Sequence, residues 1–257
     1  MKADFRHPPG AVASAMADFA RRGRCMARAL VGRDVYRRPQ LHATKELHGG
    51  RPPDGFGSWT ICPDRITSKS IVYSVGIGDD ISFEISLIRS FGLPVVFAFD
   101  PTPNSISWLS RQRVPDEFRL LPYAISDYDG TAPFFPHDNP DFVAHSLIAR
   151  EATGAQAVEV QVRTLPTLMA ELGHSHIDLL KMDIEGAEYA VIDNLVSQRV
   201  AVHQLLVEFH HLDRFTPGMS PARTKDAIQK LNRAGFKIFH ITPSGQEYSF
   251  IGPRKRS

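Results

Sequence analysis

Only two cysteines occur in 257 residues, Cys25 and Cys62; they form no CxxC pair and are too few for a disulfide framework. Both are expected to be small buried apolar residues in a reducing, cytoplasmic setting. No apolar run reaches the roughly 18–20 residues that a membrane span requires, because Asp, Glu, Lys or Arg interrupts every candidate. The N-terminus also lacks the uninterrupted apolar stretch of a secretory leader, so no membrane association is expected. Charge of one sign is scarce as well: 30 Lys and Arg against 28 Asp and Glu leave +2. A field that weak gives no argument for a nucleic-acid partner. The most basic runs, Arg21-Arg22-Gly23-Arg24 and Arg254-Lys255-Arg256, lie at opposite ends of the chain and read as solvated surface.

What is present falls into two regimes. Residues 1–58 are rich in Arg, Pro, Gly and His, with an Ala- and Arg-rich surface helix expected from Ala11 to Leu30, and form an N-terminal extension that could cap the rest. Residues 59–257 alternate apolar strands with helical patterns. Ile71 to Gly76 reads as a buried strand ending at glycine, and Asp80 to Phe91 follows with Ile81, Ile85 and Ile88 at helical spacing. Val95 to Asp100 is a second strand, with a helix expected through Gln112, and Phe118 to Ile125 a third. Residues 131–157 lack a clear period and read as an insertion over the site. Val158 to Val162 alternates as a half-exposed strand, Ile177 to Asp183 and His203 to Phe209 are further main strands, and Phe236 to Ile251 is a hairpin around Thr242-Pro243-Ser244-Gly245. Such alternation predicts an α/β fold with a mostly parallel seven-stranded sheet, helices on both faces and an antiparallel strand from the terminal hairpin.

In an open parallel sheet the ligand binds beyond the carboxyl ends of the strands, which selects Gly76, Asp100, Asp183 and Glu208. Gly76-Ile77-Gly78 lets the backbone approach a ligand closely. Asp100 stands 24 residues beyond Gly76, near the spacing at which an acid meets the ribose hydroxyls of an adenine nucleoside. A dinucleotide fits poorly: Ile81 replaces a third glycine, and Asp79 and Asp80 would repel a pyrophosphate by a few kcal/mol in a shielded site, on the order given by Coulomb's law. S-adenosylmethionine, with an ammonium and a sulfonium in place of phosphates, suits that acidic loop. Capping of the helix is the alternative role for one of the two aspartates. The antiparallel ending points the same way, since nicotinamide Rossmann domains usually close with a parallel strand.

The block Leu180-Lys181-Met182-Asp183-Ile184-Glu185-Gly186-Ala187-Glu188, followed by Val191-Ile192, resembles the signature of the FkbM methyltransferase family. Tyr73 to Gly78, Phe99 to Pro103, Ala124 to Asp127 and Val207 to His210 are similar to further parts of that family, so the likeness covers about residues 59–251. It implies a Rossmann-like class I methyltransferase fold with S-adenosylmethionine as cofactor. It implies that Gly76 and Gly78 line the methionine part, that Asp100 holds the ribose, and that Ser126 and Asp127 lie beside the adenine, with Asp80 also on the cofactor side. Asp127 is equally a turn residue, given Asp129 and Gly130. One departure is Ser74, which stands where the family carries Asp or Glu; Asp79, Asp80 and Glu84 are candidate replacements.

Methyl transfer is an in-line displacement, so the protein must align the partners and take the acceptor's proton. Asp183, Glu185, Glu208, His210 and His211 are expected to converge at two neighbouring strand ends. Asp183 and Glu208 would position the acceptor, and His210 or Glu185 would take the proton. The same group could instead hold Mg²⁺, the less favoured reading. Pro133 to Arg150, with Phe134, Phe135, His137, Phe142 and His145, is the candidate acceptor pocket. The resemblance implies a small-molecule acceptor, a sugar or natural-product hydroxyl. A catalytically silent nucleoside-binding domain and, more remotely, an NAD-dependent oxidoreductase are the alternatives.

Overall fold

The structure, a computed structural model, describes residues 10–50, 57–136, 145–149, 157–213, 216 and 218–253. His137, Phe142 and the basic tail lie outside them. Seven strands make the main sheet: β1 (Val72–Val75), β2 (Val96–Phe99), β3 (Phe118–Leu121), β4 (Ile177–Met182), β5 (Val202–Glu208), β6 (Lys237–Ile241) and β7 (Glu247–Ile251). Their spatial order is β6-β7-β5-β4-β1-β2-β3. β1 to β5 run parallel to their neighbours, while β7 is inserted antiparallel between β5 and β6. This order reverses direction at β1, the switch point beyond which open α/β sheets bind ligands.

The strands are buried on both faces, as their continuous apolar runs require. Val72, Val96, Ala98, Leu179 and Leu206 face one core with α2 (Ser82–Phe91), and Trp108 and Leu109 from the end of α3 (Pro103–Leu109) pack against it. Tyr73, Val75, Phe97, Phe99, Leu180 and Met182 face the other with α4 (Leu165–Glu171), α5 (Glu188–Ser197) and α6 (Pro221–Arg233). The sequence-predicted α/β sheet with helices on both faces is therefore present.

Two expectations are corrected. Phe118 to Ile125 is not one strand: Pro122, which has no N–H to continue a ladder, separates β3 from Tyr123–Ile125, and the latter pairs instead with Val158–Arg163. Nor is the insertion wholly irregular. Gly130–Pro136 is a strand antiparallel to Val158–Arg163, and His145–Ser146 adds to its far end, giving a second, four-stranded sheet. Pro133 is tolerated there because His145–Ser146 meets only Phe135 and Pro136.

The helix α1 (Gly10–Leu30) and the segment after it dock on the edge of the main sheet. The N–H groups of Gln40 and Leu41 donate to the Ile238 carbonyl, and Ile238 N–H donates back to Gln40 Oε1, so the otherwise open edge of β6 is covered. Glu46–His48 pairs with Trp59–Ile61 across the boundary between the two sequence regimes. Both cysteines are buried and unpaired.

Candidate active site

A cleft of about 720 Å³ opens beyond the carboxyl ends of β1, β2, β4 and β5. It is lined by Gly76, Gly78, Asp80, Asp100, Asp183, Glu185, Glu208 and His210, which are eight of the ten residues singled out from the sequence. Ser126 and Asp127 do not line it. Ser126 is buried with its N–H on the Arg163 carbonyl, Asp127 is exposed with its carbonyl accepting from Asn194, and Tyr123, Ala124 and Ile125 reach the cleft in their place.

The glycine turn is built for close approach. Gly76 has φ 77° and Gly78 φ 56°, in the left-handed region. A Cβ on Gly76 would collide with the backbone carbonyl of Asp183, whereas one on Gly78 would meet open space. Asp100 braces this turn. Its Oδ2 accepts from the N–H groups of Ile77 (3.0 Å) and Gly78 (3.1 Å), and its Oδ1 accepts from Thr102 N–H (2.8 Å), which leaves Oδ1 acceptor capacity. Asp80 Oδ1 accepts from Ser82 N–H at 2.9 Å, so this aspartate does cap the first turn of α2 while lining the cleft.

Ser74, the departure from the family pattern, is fully buried and donates through Oγ to Oε1 of Glu84 on the first turn of α2. Glu84 is 1% exposed and lines the cleft, and its Oε2 has no hydrogen-bond partner among the described residues. Burial raises its pKa above the usual range, and the nearby Lys181 partly opposes that. Lys181 was not among the expected site residues. Its Nζ donates to the Gly76 carbonyl, lies 4.0 Å from Asp183 Oδ2 and sits 5.4 Å from the centre of the Trp59 ring. The signal for it was available: a lysine inside the apolar strand Ile177–Met182 needs a polar partner.

At the other end of the cleft His210 is gripped by three carboxylates. Its Nδ1 donates to Glu188 Oε1 at 2.9 Å, while Nε2 stands 3.6 Å from Asp183 Oδ1 and 3.7 Å from Glu185 Oε2. Although burial opposes it, the negative charges of Glu188, Glu185 and Glu208 hold its pKa well above the ordinary histidine value. That cage of acids favours the protonated form of the imidazole. Glu208 is displaced upward as well: burial first, then the Asp183 charge, lifts its carboxyl well above the usual range, against the pull of His210.

Glu188 does more than favour a helix terminus. Fully buried, it accepts from Ile184 N–H and Gly186 N–H, both at 2.9 Å, and so shapes the loop that carries Glu185. Glu185 has φ 53°, a left-handed conformation rare outside glycine. Ser146 Oγ donates to its carbonyl at 2.8 Å and ties the second sheet to this loop. Asp183, Glu185 and His210 each offer an atom within 4.8 Å of the others, a spacing open to a metal ion.

His211 does not join the site. It is buried against Asp34, whose Oδ1 accepts from its Nε2 at 2.8 Å and whose Oδ2 pairs with Arg28 at 2.6 Å. The cleft wall is completed by Phe134, His145 and Leu147 of the expected acceptor segment, and by Arg21, Gly57 and Trp59.

A seven-stranded sheet in this order, with a glycine turn, an acid after β2 and an acid-rich cleft, defines a Rossmann-like domain. The methyltransferase FkbM domain family matches residues 71–238, and the chain belongs to that family. It is 29% identical over 202 residues to the probable methyltransferase-like protein 24 of Rattus norvegicus, covering 71% of this chain and 48% of that protein. The human counterpart is 29% identical over 198 residues, with 71% and 47% covered. The chain thus spans about half the length of the curated relatives it matches. Among solved structures it is similar to the FkbM methyltransferase of Methylobacillus flagellatus (TM-score 0.45, 12% identity, 72% of this chain and 44% of that one). It is also similar to the fibrillarin pre-rRNA processing protein of Methanococcus jannaschii (TM-score 0.42, 12% identity, 83% and 89%).

Proposed function

We propose that this chain is an S-adenosylmethionine-dependent methyltransferase acting on a hydroxyl of a small molecule such as a sugar or natural product. The observation that carries the cofactor is an acid-rich cleft in which eight carboxylates stand against Lys181, Arg21 and His210, with Glu84 Oε2 buried and without a partner among the described residues. A cationic amino acid moiety relieves that imbalance, and a pyrophosphate aggravates it. Asp100 Oδ1 and the glycine turn fit the nucleoside, and Gly78, with open space where a Cβ would stand, leaves that approach clear.

When bound, the cofactor supplies an electrophilic methyl group on sulfur. Asp183 and Glu208 accept hydrogen bonds from the acceptor hydroxyl and orient it. Glu208, at the end of β5 and lining the cleft, takes the proton, since burial makes its carboxylate a stronger base than an ordinary one. The His210 cation, held by Glu188, steadies the charge of Asp183 and Glu185. The aromatic wall at Phe134 and His145, stacked at 5.5 Å, suits a ring-shaped acceptor.

Calorimetry with S-adenosylmethionine, with NAD as control and Asp100→Ala alongside, tests the cofactor. Micromolar binding lost in Asp100→Ala supports it; absence of binding to the intact chain would make this a silent domain. With binding established, retention of full turnover in Glu208→Gln would remove that residue as the base.

A further inference from the structure

At the end of the sheet opposite the cleft, the strand register gathers three metal-capable side chains. Ile177 pairs with Val202 and Leu179 with Gln204, so Asp178 and His203 lie side by side on neighbouring parallel strands. His176 stands two residues before Asp178, and side chains two apart in an extended chain share a face. The side chains meet accordingly: His203 Nδ1 is 2.9 Å from Asp178 Oδ1, and His176 Nε2 is 3.5 Å from Asp178 Oδ2. The two imidazoles stack with centres 5.1 Å apart and planes inclined by 30°.

We propose that His176, Asp178 and His203 form a divalent-metal site of the zinc class, distinct from the methyl-transfer centre and structural in role. One donor atom from each residue lies within 4.8 Å of the others. A tetrahedral zinc ion, with bonds of about 2.0–2.2 Å, holds its ligand atoms about 3.4 Å apart, so side-chain adjustments on the order of an ångström complete the set. Two imidazoles with one carboxylate suit zinc or cobalt better than magnesium, and water fills the fourth position. The carboxylate is already oriented: Ile71 N–H donates to Asp178 Oδ2 at 2.8 Å. Ser175 Oγ stands 3.3 Å from His176 Nδ1 and directs that ring's other nitrogen toward the site. The side chains are 32%, 14% and 31% exposed, so an ion can reach them from solvent. Bound there, it ties the entry to β1 at Ile71 to the starts of β4 and β5. None of the three lines the cleft.

The test uses the untagged full chain stripped with chelator, titrated with Zn²⁺ by calorimetry and with Co²⁺ by visible absorption. Wild type should bind one Zn²⁺ per chain, gain the absorption of tetrahedral cobalt and show a raised Tm. His203→Ala and Asp178→Asn should weaken binding at least about tenfold, whereas Asp183→Asn should not. If His203→Ala fails to fold by circular dichroism, His176→Ala, before the strand begins, takes its place. Lack of saturable binding by the folded wild type overturns the proposal. So does binding that survives both ligand variants, or binding abolished by Asp183→Asn, which would put the ion in the cleft.

Discussion

Ser74 on β1 donates a hydrogen bond to Glu84 on α2, so a buried carboxylate from the helix stands beside the strand position where the family carries an acid. The two positions are ten residues apart in sequence, and the tight glycine turn folds them together. One Glu84 oxygen is satisfied by Ser74 and the other is buried at the cleft wall without a partner among the described residues. Glu84→Gln keeps the shape and removes the charge. Calorimetry should show affinity for S-adenosylmethionine falling by roughly ten- to a hundredfold, the span of a lost hydrogen bond to a charged group. The Tm should hold or rise, because a desolvated carboxylate has been removed.

Gly76 and Gly78 look equivalent in sequence but face different surroundings. Gly76→Ala forces a Cβ into the Asp183 carbonyl at φ 77°, where only backbone movement can relieve it. A loss of roughly 4 kcal/mol or outright misfolding is expected. Gly78→Ala, at φ 56° with open space around it, pays only the left-handed conformation, roughly 1–2 kcal/mol. Urea denaturation of the two variants checks the ratio, and equal losses would contradict the close approach of β1 and β4.

His210 titrates above its ordinary value because Glu188, Glu185 and Glu208 favour the cation. A group with a raised folded pKa contributes stability that is fully present below the unfolded value of about 6.5 and is lost as pH rises through the folded value. Imidazole NMR should find His210 still protonated at pH 7 and above. In Glu188→Gln the titration should move down, and the alkaline loss of Tm should shrink. A His210 midpoint below 6.5 in the wild type would count against the carboxylate cage.

Much of the architecture was legible because it rests on period and punctuation. The buried strands at Ile71 to Val75 and Ile177 to Met182 are apolar runs bounded by turn residues, and the terminal hairpin carries its own turn. The strand Gly130–Pro136 was missed because Pro133 and Pro136 read as breakers, yet its alternation of exposed Thr131 and Pro133 with buried Ala132 and Phe134 is that of a half-buried strand. In the site, residues at strand ends were visible from topology. The orphaned oxygen of Glu84 acquires meaning only from contacts between elements, and the partners of Ser74 and Lys181 likewise come from other elements. His211, adjacent to His210, was placed with it in sequence reading, but successive residues leaving a strand point apart, and His211 packs onto Asp34.

His240 on β6 provides the last test, because it opposes His210 in sign. Its ring is held neutral: burial first, then the positive charges of Lys45 and Arg22, lowers its pKa to about 4. The unfolded chain therefore takes up the proton at a higher pH than the folded one does. Stability is complete above about 6.5 and declines as pH falls from there toward about 4. The loss should be roughly 2 kcal/mol, less than the full shift implies because the ring is partly exposed. His240→Asn removes the titrating group while keeping a polar side chain at the sheet edge. Denaturant titrations at pH 7.5 and pH 4.5, roughly bracketing that range, should show a smaller acid penalty in the variant than in the wild type. An identical penalty would mean that acids held below their usual range, such as Asp34 and Asp129, and not this histidine, set the acid limit of the fold.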